Sequence, residues 1–340
     1  MNQNTTIEGG SGLPPLLTVS PSPHIKGTDS TRGIMLDVVI ALLPPLVFAC
    51  YIFGMRALTV TLVSVAACLL SEGLFNLILK RHQSIGDLSA VVTGMLLAYN
   101  LPVSVPLWMP VLGAVFAIVV VKGLFGGIGK NVVNPALAAR VFLFMSFPDL
   151  MSRYVPAGSA IGAFESVSDA DILAGATPLA QLKQGTMPDI PLMDLIIGSC
   201  PGTIGEVSSL LLIAGFFYLM VRKVITWHIP IAYVGSVALI CYLLPSSPAF
   251  IPHEFMLSQI FSGGLLLAAI FMATDYVTSP ITRTGRIIFG IGCGIITVFI
   301  RYFGGYNEGA SFAILIMNLL VRYIDNFTKP VKFGGLKKQA

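Results

Sequence analysis

Charge is what this sequence has least of. Of its 340 residues only 11% are Asp, Glu, Lys or Arg, while 55% are hydrophobic; soluble domains average about 25% charged residues. So little charge cannot cover a water-facing surface of this size. That excludes a cytosolic enzyme, a secreted disulfide scaffold and a disordered chain, and leaves a polytopic membrane protein with a lipid-facing exterior. Cysteine is sparse as well. Cys50, Cys68, Cys200, Cys241 and Cys293 lie far apart, so no CxxC pair exists to hold zinc or an iron–sulfur cluster. The four histidines are equally scattered, and no set of metal ligands is visible. Residues 1–32 are polar and rich in Ser, Thr, Pro and Gly; they lack the basic start, short apolar core and small-residue cleavage site of a signal peptide. The net charge of +4 does not point to nucleic acid, because helical membrane proteins concentrate Lys and Arg in their cytoplasmic loops.

What the sequence does have is apolar runs of about the length that crosses a bilayer as helix. Ten are expected, at 33–54, 57–79, 87–101, 107–125, 134–148, 205–221, 229–245, 257–276, 285–302 and 309–327. The runs at 87–101 and 134–148 are short and interrupted by Gly, Pro or Asn, which suits spans inside the bundle or beside a cavity. Pro44 and Pro45 predict a kink in the first. If the N-terminus is cytoplasmic, cytoplasmic segments hold 14 of the 20 basic residues and external segments hold four, Arg56, Arg153, Lys183 and Arg301. That bias fits ten spans with both termini in the cytoplasm.

The expected organisation is therefore a polar cytoplasmic lead at 1–32, a first five-helix half at 33–148, an external loop at 149–204, a second five-helix half at 205–327 and a basic cytoplasmic tail at 328–340. A loop as long as 149–204 is usually functional; its stretch 190–200 is too short to span. The halves look related: Phe125-Gly126-Gly127 precedes the fifth run and Phe303-Gly304-Gly305 the tenth, and Ser89–Gly94 resembles Ser258–Gly263. Five spans followed by five more make an inverted repeat, which tends to place a site between the halves.

Ionisable residues inside spans are costly and are default functional candidates. Asp37, Asp275, Arg322 and Asp325 fall in or near spans, the three aspartates close to predicted cytoplasmic ends; Glu72 and Arg140 are deeper. Each deep residue has three open readings: a structural pair, an ion path or an anionic ligand. Glu72, Arg140 and Asp275 are the ion-path candidates. The stretch 123–131 (GLFGGIGKN) is not a phosphate loop, since Asn131 follows Gly129-Lys130 and the spacing fails; a tight turn explains its glycines. In the external loop, Asp171 to Leu179 (DILAGATPL) reads first as a capped short helix. Small residues at 174–176 leave Thr177 open, and Pro178 keeps it extended, as a hydroxyl carrying a large covalent group requires.

That stretch resembles the flavinylation motif Asp-x-x-Ser/Thr-Gly-Ala-Thr of membrane redox complexes, with Asp171, Gly175, Ala176 and Thr177 matching and Ala174 standing where Ser or Thr is usual. FGGIGKNVVNPA (125–136), RKVITWHIPIA (222–232), MATDYVTSPITRTGRIIFG (272–290) and RYFGGYNEGASFAILIMN (301–318) resemble the NqrB/RnfD family, on its Rnf side. The resemblance runs from about residue 20 to residue 335. It implies an all-α membrane fold of ten helices in two inverted five-helix repeats, similar to urea transporters. It implies FMN joined to Thr177 by a phosphoester, installed from FAD on the outer face by a flavin transferase, with a second, non-covalent flavin (riboflavin) as a further expectation. The implied role is a subunit, not catalytic alone, of a redox-driven ion translocase that passes electrons between ferredoxin and NAD and moves Na⁺ or H⁺. The implied partners are the A, B, C, E and G subunits of an Rnf complex and membrane lipid, in the bacterial inner membrane. The competing reading, from fold analogy alone, is a small-solute channel or transporter of the urea-transporter type.

Overall fold

A computed structural model describes residues 30–330 except His82, residues 166–172, residues 175–176, Asp189 and residues 248–249. Each apolar run contains a helix. The first half holds α1 (Thr31–Phe53), α2 (Met55–Ile78), α3 (Ser89–Tyr99), α4 (Trp108–Gly123) and α5 (Pro135–Ser146). The second holds α6 (Ser209–Val221), α7 (His228–Leu243), a broken α8 (Pro252–Phe261 and Leu265–Met272), α9 (Arg283–Phe303) and α10 (Ala310–Thr328). The protein is thus mostly helical. By length and composition α1, α2, α9 and α10 can each cross a membrane, and α8 makes a fifth span if its two pieces, bent by 64°, count as one. The remaining five are apolar helices of 10–17 residues. With its large apolar side chains turned outward, among them Tyr51, Leu62, Phe217, Phe299 and Phe327, the chain is a multi-pass membrane protein.

Local chemistry sets the helix ends. Asn134 caps α5, its side-chain oxygen accepting from the Ala136 and Leu137 N–H groups, and Pro135 occupies the first turn, where its missing N–H costs nothing. Thr282 caps α9 in the same way, through the Gly285 N–H. α1 continues through Pro44 and Pro45 without interruption. α4 ends in wider π-type turns from Phe116 to Gly123, which carry Lys122 into the interior. The one strand pairing among the described residues, β1 (Arg153–Tyr154) antiparallel to β2 (Leu173–Ala174), folds the loop back on itself and draws the segment before Thr177 towards the end of α5. A further link from the Ile204 N–H to the Leu101 carbonyl (3.1 Å) ties the end of that loop to α3. The segment 190–200 forms a six-residue helix, Leu192–Ile197.

Helices in lipid gain little from hydrophobic segregation and associate through close packing of small residues and interhelical hydrogen bonds. Both devices are present. On α9, Gly290 and Gly294 lie against the Ile229–Ser236 face of α7, where the Tyr233 and Thr297 hydroxyls bond at 2.6 Å. Between α2 and α3, Ser64 donates to the Gly94 carbonyl at 2.8 Å. A Cβ at Gly94 would stand 2.7 Å from the Val65 Cα, a backbone atom that cannot yield. The sequence matches between the halves differ in local form: Ser89–Gly94 lies in continuous helix, whereas Ser258–Gly263 ends at the break in α8.

Gly94→Ala should therefore push α2 from α3 and cost about 1–3 kcal/mol, read as a lower thermal midpoint in detergent. An unchanged midpoint would contradict the close approach.

Candidate functional site

Two of the pockets among the described residues bear on the candidate residues. The first has about 780 Å³ of empty space and is walled by α5 (Arg140, Phe144), the loop (Tyr154, Thr177, Cys200, Glu206), the break in α8 (Gly263) and the start of α10 (Glu308, Ser311, Phe312). Thr177 sits on its wall. The residue is extended (φ −73°, ψ 147°), as a residue before proline prefers, and caps the short helix Pro178–Lys183, its Oγ1 accepting from the Ala180 N–H at 3.3 Å. Thr177 is only 8% exposed, so its hydroxyl is not freely open as the sequence suggests and is reached through the pocket. Asp171, Gly175 and Ala176 lie outside the described residues.

The polar face of this pocket is a buried charge cluster. Arg140, flanked along α5 by apolar residues, donates to the Glu308 carboxylate and to the Ser311 hydroxyl. Glu308 also accepts from the Gly264 N–H at 2.8 Å, and it hydrogen-bonds Glu206, which in turn accepts from Thr203 at 3.0 Å. A hydrogen bond between two carboxyl groups needs one proton. Burial and then the Glu308 charge push Glu206 well above the ordinary carboxylate range, so Glu206 keeps that proton. Burial alone would raise Glu308 too; the Arg140 guanidinium, the Glu206 hydrogen bond and the Gly264 N–H outweigh it and hold its pKa down to about 2.

The second pocket has about 830 Å³ of empty space. It is lined from both halves: Met35 and Val38 of α1, Ser89 and Thr93 of α3, Lys122, Asn131 and Asn134 from the first half, Leu219, Phe271 and Asp275 from the second. Behind it lies a buried pair. The Lys122 Nζ is 2.8 Å from the Glu72 carboxylate and 2.6 Å from the Ser89 hydroxyl, and Ser84 donates to the same Glu72 oxygen at 2.6 Å. Asp275 accepts from Thr278 at 3.1 Å.

The three ion-path candidates are therefore not brought together: Arg140 belongs to the first pocket, Asp275 to the second, and Glu72 stands behind Lys122. Asp37 instead pairs with Arg222 and Tyr218, joining α1 to α6. Four further residues, Lys122, Glu206, Glu308 and Arg301, do not stand out in the sequence. Lys122 counts there with the cytoplasmic basic residues, near the end of the fourth apolar run. Glu206 and Glu308 lie at the starts of α6 and α10, and their partners are far away in sequence; charge within a turn of a helix start facing a glycine-rich break is the only available signal.

An apolar helical bundle whose interior holds ion-paired charges beside two pockets is a multi-pass membrane protein. Residues 18–334 match the NQR2, RnfD, RnfE family, and the chain belongs to that family. It is 44% identical to the D subunit of the Na⁺-translocating ferredoxin:NAD⁺ oxidoreductase complex of Acetobacterium woodii, across 95% of this chain and 98% of that protein. It is 36% identical to the D subunit of the proton-translocating ferredoxin:NAD⁺ oxidoreductase complex of Clostridium ljungdahlii, across 94% and 96%. It is 35% identical to the D subunit of the ion-translocating oxidoreductase complex of Halorhodospira halophila, across 92% and 94%.

The two carboxyls of the cluster should behave differently. Glu308→Gln strands the buried Arg140 and should cost about 3 kcal/mol or more, while Glu206→Gln, which replaces an already neutral group, should cost far less. The Glu308 contribution should be complete above its ordinary pKa of 4.5 and fade as pH falls towards 2. Thermal midpoints of the two variants between pH 7 and pH 3 measure this; equal losses at pH 7 would contradict the assignment.

Proposed function

We propose that this chain is the flavin-carrying D subunit of an Rnf-type ferredoxin:NAD oxidoreductase, a redox-driven ion translocase of the bacterial inner membrane in which it is not catalytic alone. Electrons pass through an FMN esterified to Thr177, and their passage is coupled to movement of Na⁺ or H⁺. The observation that carries this is the position of Thr177: the residue matching the flavinylation motif opens onto a pocket formed by both halves. Supporting it, relatives up to 44% identical over nearly their whole length are named as the D subunit of such complexes.

The residues fit the group. Phe144 and Phe312 give the first pocket apolar walls, the latter stacked on Tyr306 at 5.1 Å, and Arg140, Tyr154 and Asn307 supply polar contacts. Flavin exchanges electrons singly or in pairs, so it joins one-electron centres to two-electron couples. The chain's part is to hold it: Thr177 tethers the nucleotide so it is not lost and need not be rebound at each turnover, Arg140 sets a positive charge on the pocket wall, and the Glu308 carboxylate keeps that charge in place.

The second, non-covalent flavin belongs in the second pocket. Lys122 directs two of its three N–H groups to Glu72 and Ser89 and has one left for a ligand. Both pockets touch α5, one at Ala136 and the other at Arg140, which are about 6 Å apart along the helix axis. Glu72 and Asp275, beside the second pocket, are then the ion-path candidates at that end, and Arg140 at the other.

The proposed layout is the ten-span inverted repeat with both termini cytoplasmic, the halves at 33–148 and 205–327, and the loop 149–204 outside, where a flavin transferase reaches Thr177. The placement of Lys122 and Arg301 supports the repeat. Each lies near the end of the fourth helix of its half, just before Phe-Gly-Gly, and each donates to the matched segment of the third helix, Lys122 to Ser89 and Arg301 to Gln259 and Ser262. The other Rnf subunits and lipid are the partners.

Thr177→Ala should abolish flavin fluorescence of the denatured band on a gel while the protein still reaches the membrane. Fluorescence that survives rejects Thr177 as the site, and a wild-type band with none, expressed with its transferase, favours a solute channel.

A further inference from the structure

We propose that Arg301 and Lys183 form a separate anion site that takes the phosphate group of a phosphoester. Arg301 is 3% exposed, yet its guanidinium donates only to neutral acceptors. Nη1 donates to the Gln259 carbonyl at 2.6 Å and to Gln259 Oε1 at 2.9 Å, and Nη2 to the Ser262 carbonyl at 3.3 Å. The Arg301 Nε–H and the Ser262 hydroxyl are each buried with no hydrogen-bond partner among the described residues. A buried cation hydrogen-bonded only to neutral acceptors retains a desolvation cost that an anion in direct contact would relieve.

The first half provides the contrast. Lys122, the counterpart of Arg301, is neutralised by Glu72 at 2.8 Å. On Arg301 the second half instead opens a small pocket, with about 290 Å³ of empty space, lined by Lys183, Ser246, Gln259, Tyr302 and Asn307 and, among the described residues, by no acidic one. Glu308 lies across Gly263, but it is committed to Arg140, the Gly264 N–H and Glu206. Lys183 is exposed at the pocket and donates to the Gly304 carbonyl at 2.5 Å and the Tyr306 carbonyl at 3.1 Å, which leaves its third N–H. A guanidinium and an ammonium with hydroxyl and amide groups between them match a phosphate, and the space suits a phosphate group rather than a ring system.

Two sources carry that chemistry. Leu179 and Asn307 line both this pocket and the one on which Thr177 lies, so the phosphate of a nucleotide esterified to Thr177 is one; this source rests on the function proposed above. The headgroup of a phospholipid is the other, and it does not.

The test follows the thermal midpoint of the full chain in detergent while inorganic phosphate is titrated against chloride at matched ionic strength, with native mass spectrometry for retained phospholipid. Phosphate should raise the midpoint of the Thr177→Ala protein saturably, with apparent affinity falling about tenfold in Arg301→Gln and by a smaller factor in Lys183→Gln. If the tethered nucleotide fills the site, flavinylated wild type gives no response; if Thr177 carries no flavin, wild type and Thr177→Ala respond alike and the site still stands. If a phospholipid fills it, that adduct persists in Thr177→Ala and is lost from both cation variants. Should Arg301→Gln not fold, Lys183→Gln decides. No phosphate response beyond chloride in Thr177→Ala, with no phospholipid adduct sensitive to Lys183 or Arg301, overturns the proposal.

Discussion

A charge taken out of water into an apolar bundle must meet a partner, and that constraint shapes the interior of this protein. Arg140 projects from α5 where almost every neighbour is apolar, and its partner Glu308 comes from the turn before α10. Glu308 in turn receives the Gly264 N–H from the break in α8 and the carboxyl proton of Glu206 from the turn before α6. One guanidinium thus gathers α5, α6, α8 and α10 around a single point. The first pocket lies beside this point. At the other end Lys122 and Glu72 do the same for α2, α3 and α4.

Polar ties of this kind matter more in lipid than in water, since helices there do not segregate merely by being apolar. The glycine faces of α3 and α9 bring backbones close enough for the hydroxyl bridges to form. The result is a frame with two cavities along α5, one at its N-terminal turn and one beside its middle and C-terminal part. The redox subunit proposed above would need such a frame to hold its cofactor, which supplies the chemistry itself.

Much of this is legible in the chain. The apolar runs follow from composition, and each contains a helix. Asn134-Pro135 and Thr282 start their helices as local capping chemistry favours. Thr177-Pro178 reads as an extended residue opening a turn, and so it is. Other features depend on contacts that no local pattern contains. Arg140 and Glu308 are 168 residues apart, so neither predicts the other. Lys122 counts in the sequence with the cytoplasmic basic residues, and only the wide turns of α4 show that it faces inward. The burial of Thr177 is equally invisible to local pattern, because the walls that cover it come from α5, α8 and α10. The paired motifs of the two halves predict equivalent positions but not equivalent backbones, as Ser89–Gly94 and Ser258–Gly263 show.

The central claim is that the Thr177 hydroxyl bears a flavin nucleotide. The direct measurement is the mass of the tryptic peptide between Arg153 and Lys183, taken from chain produced in its own membrane with a working flavin transferase. The account predicts a peptide heavier by one flavin mononucleotide less one water, with fragment ions placing the addition on Thr177. An unmodified mass, or an addition placed on another residue, would contradict it.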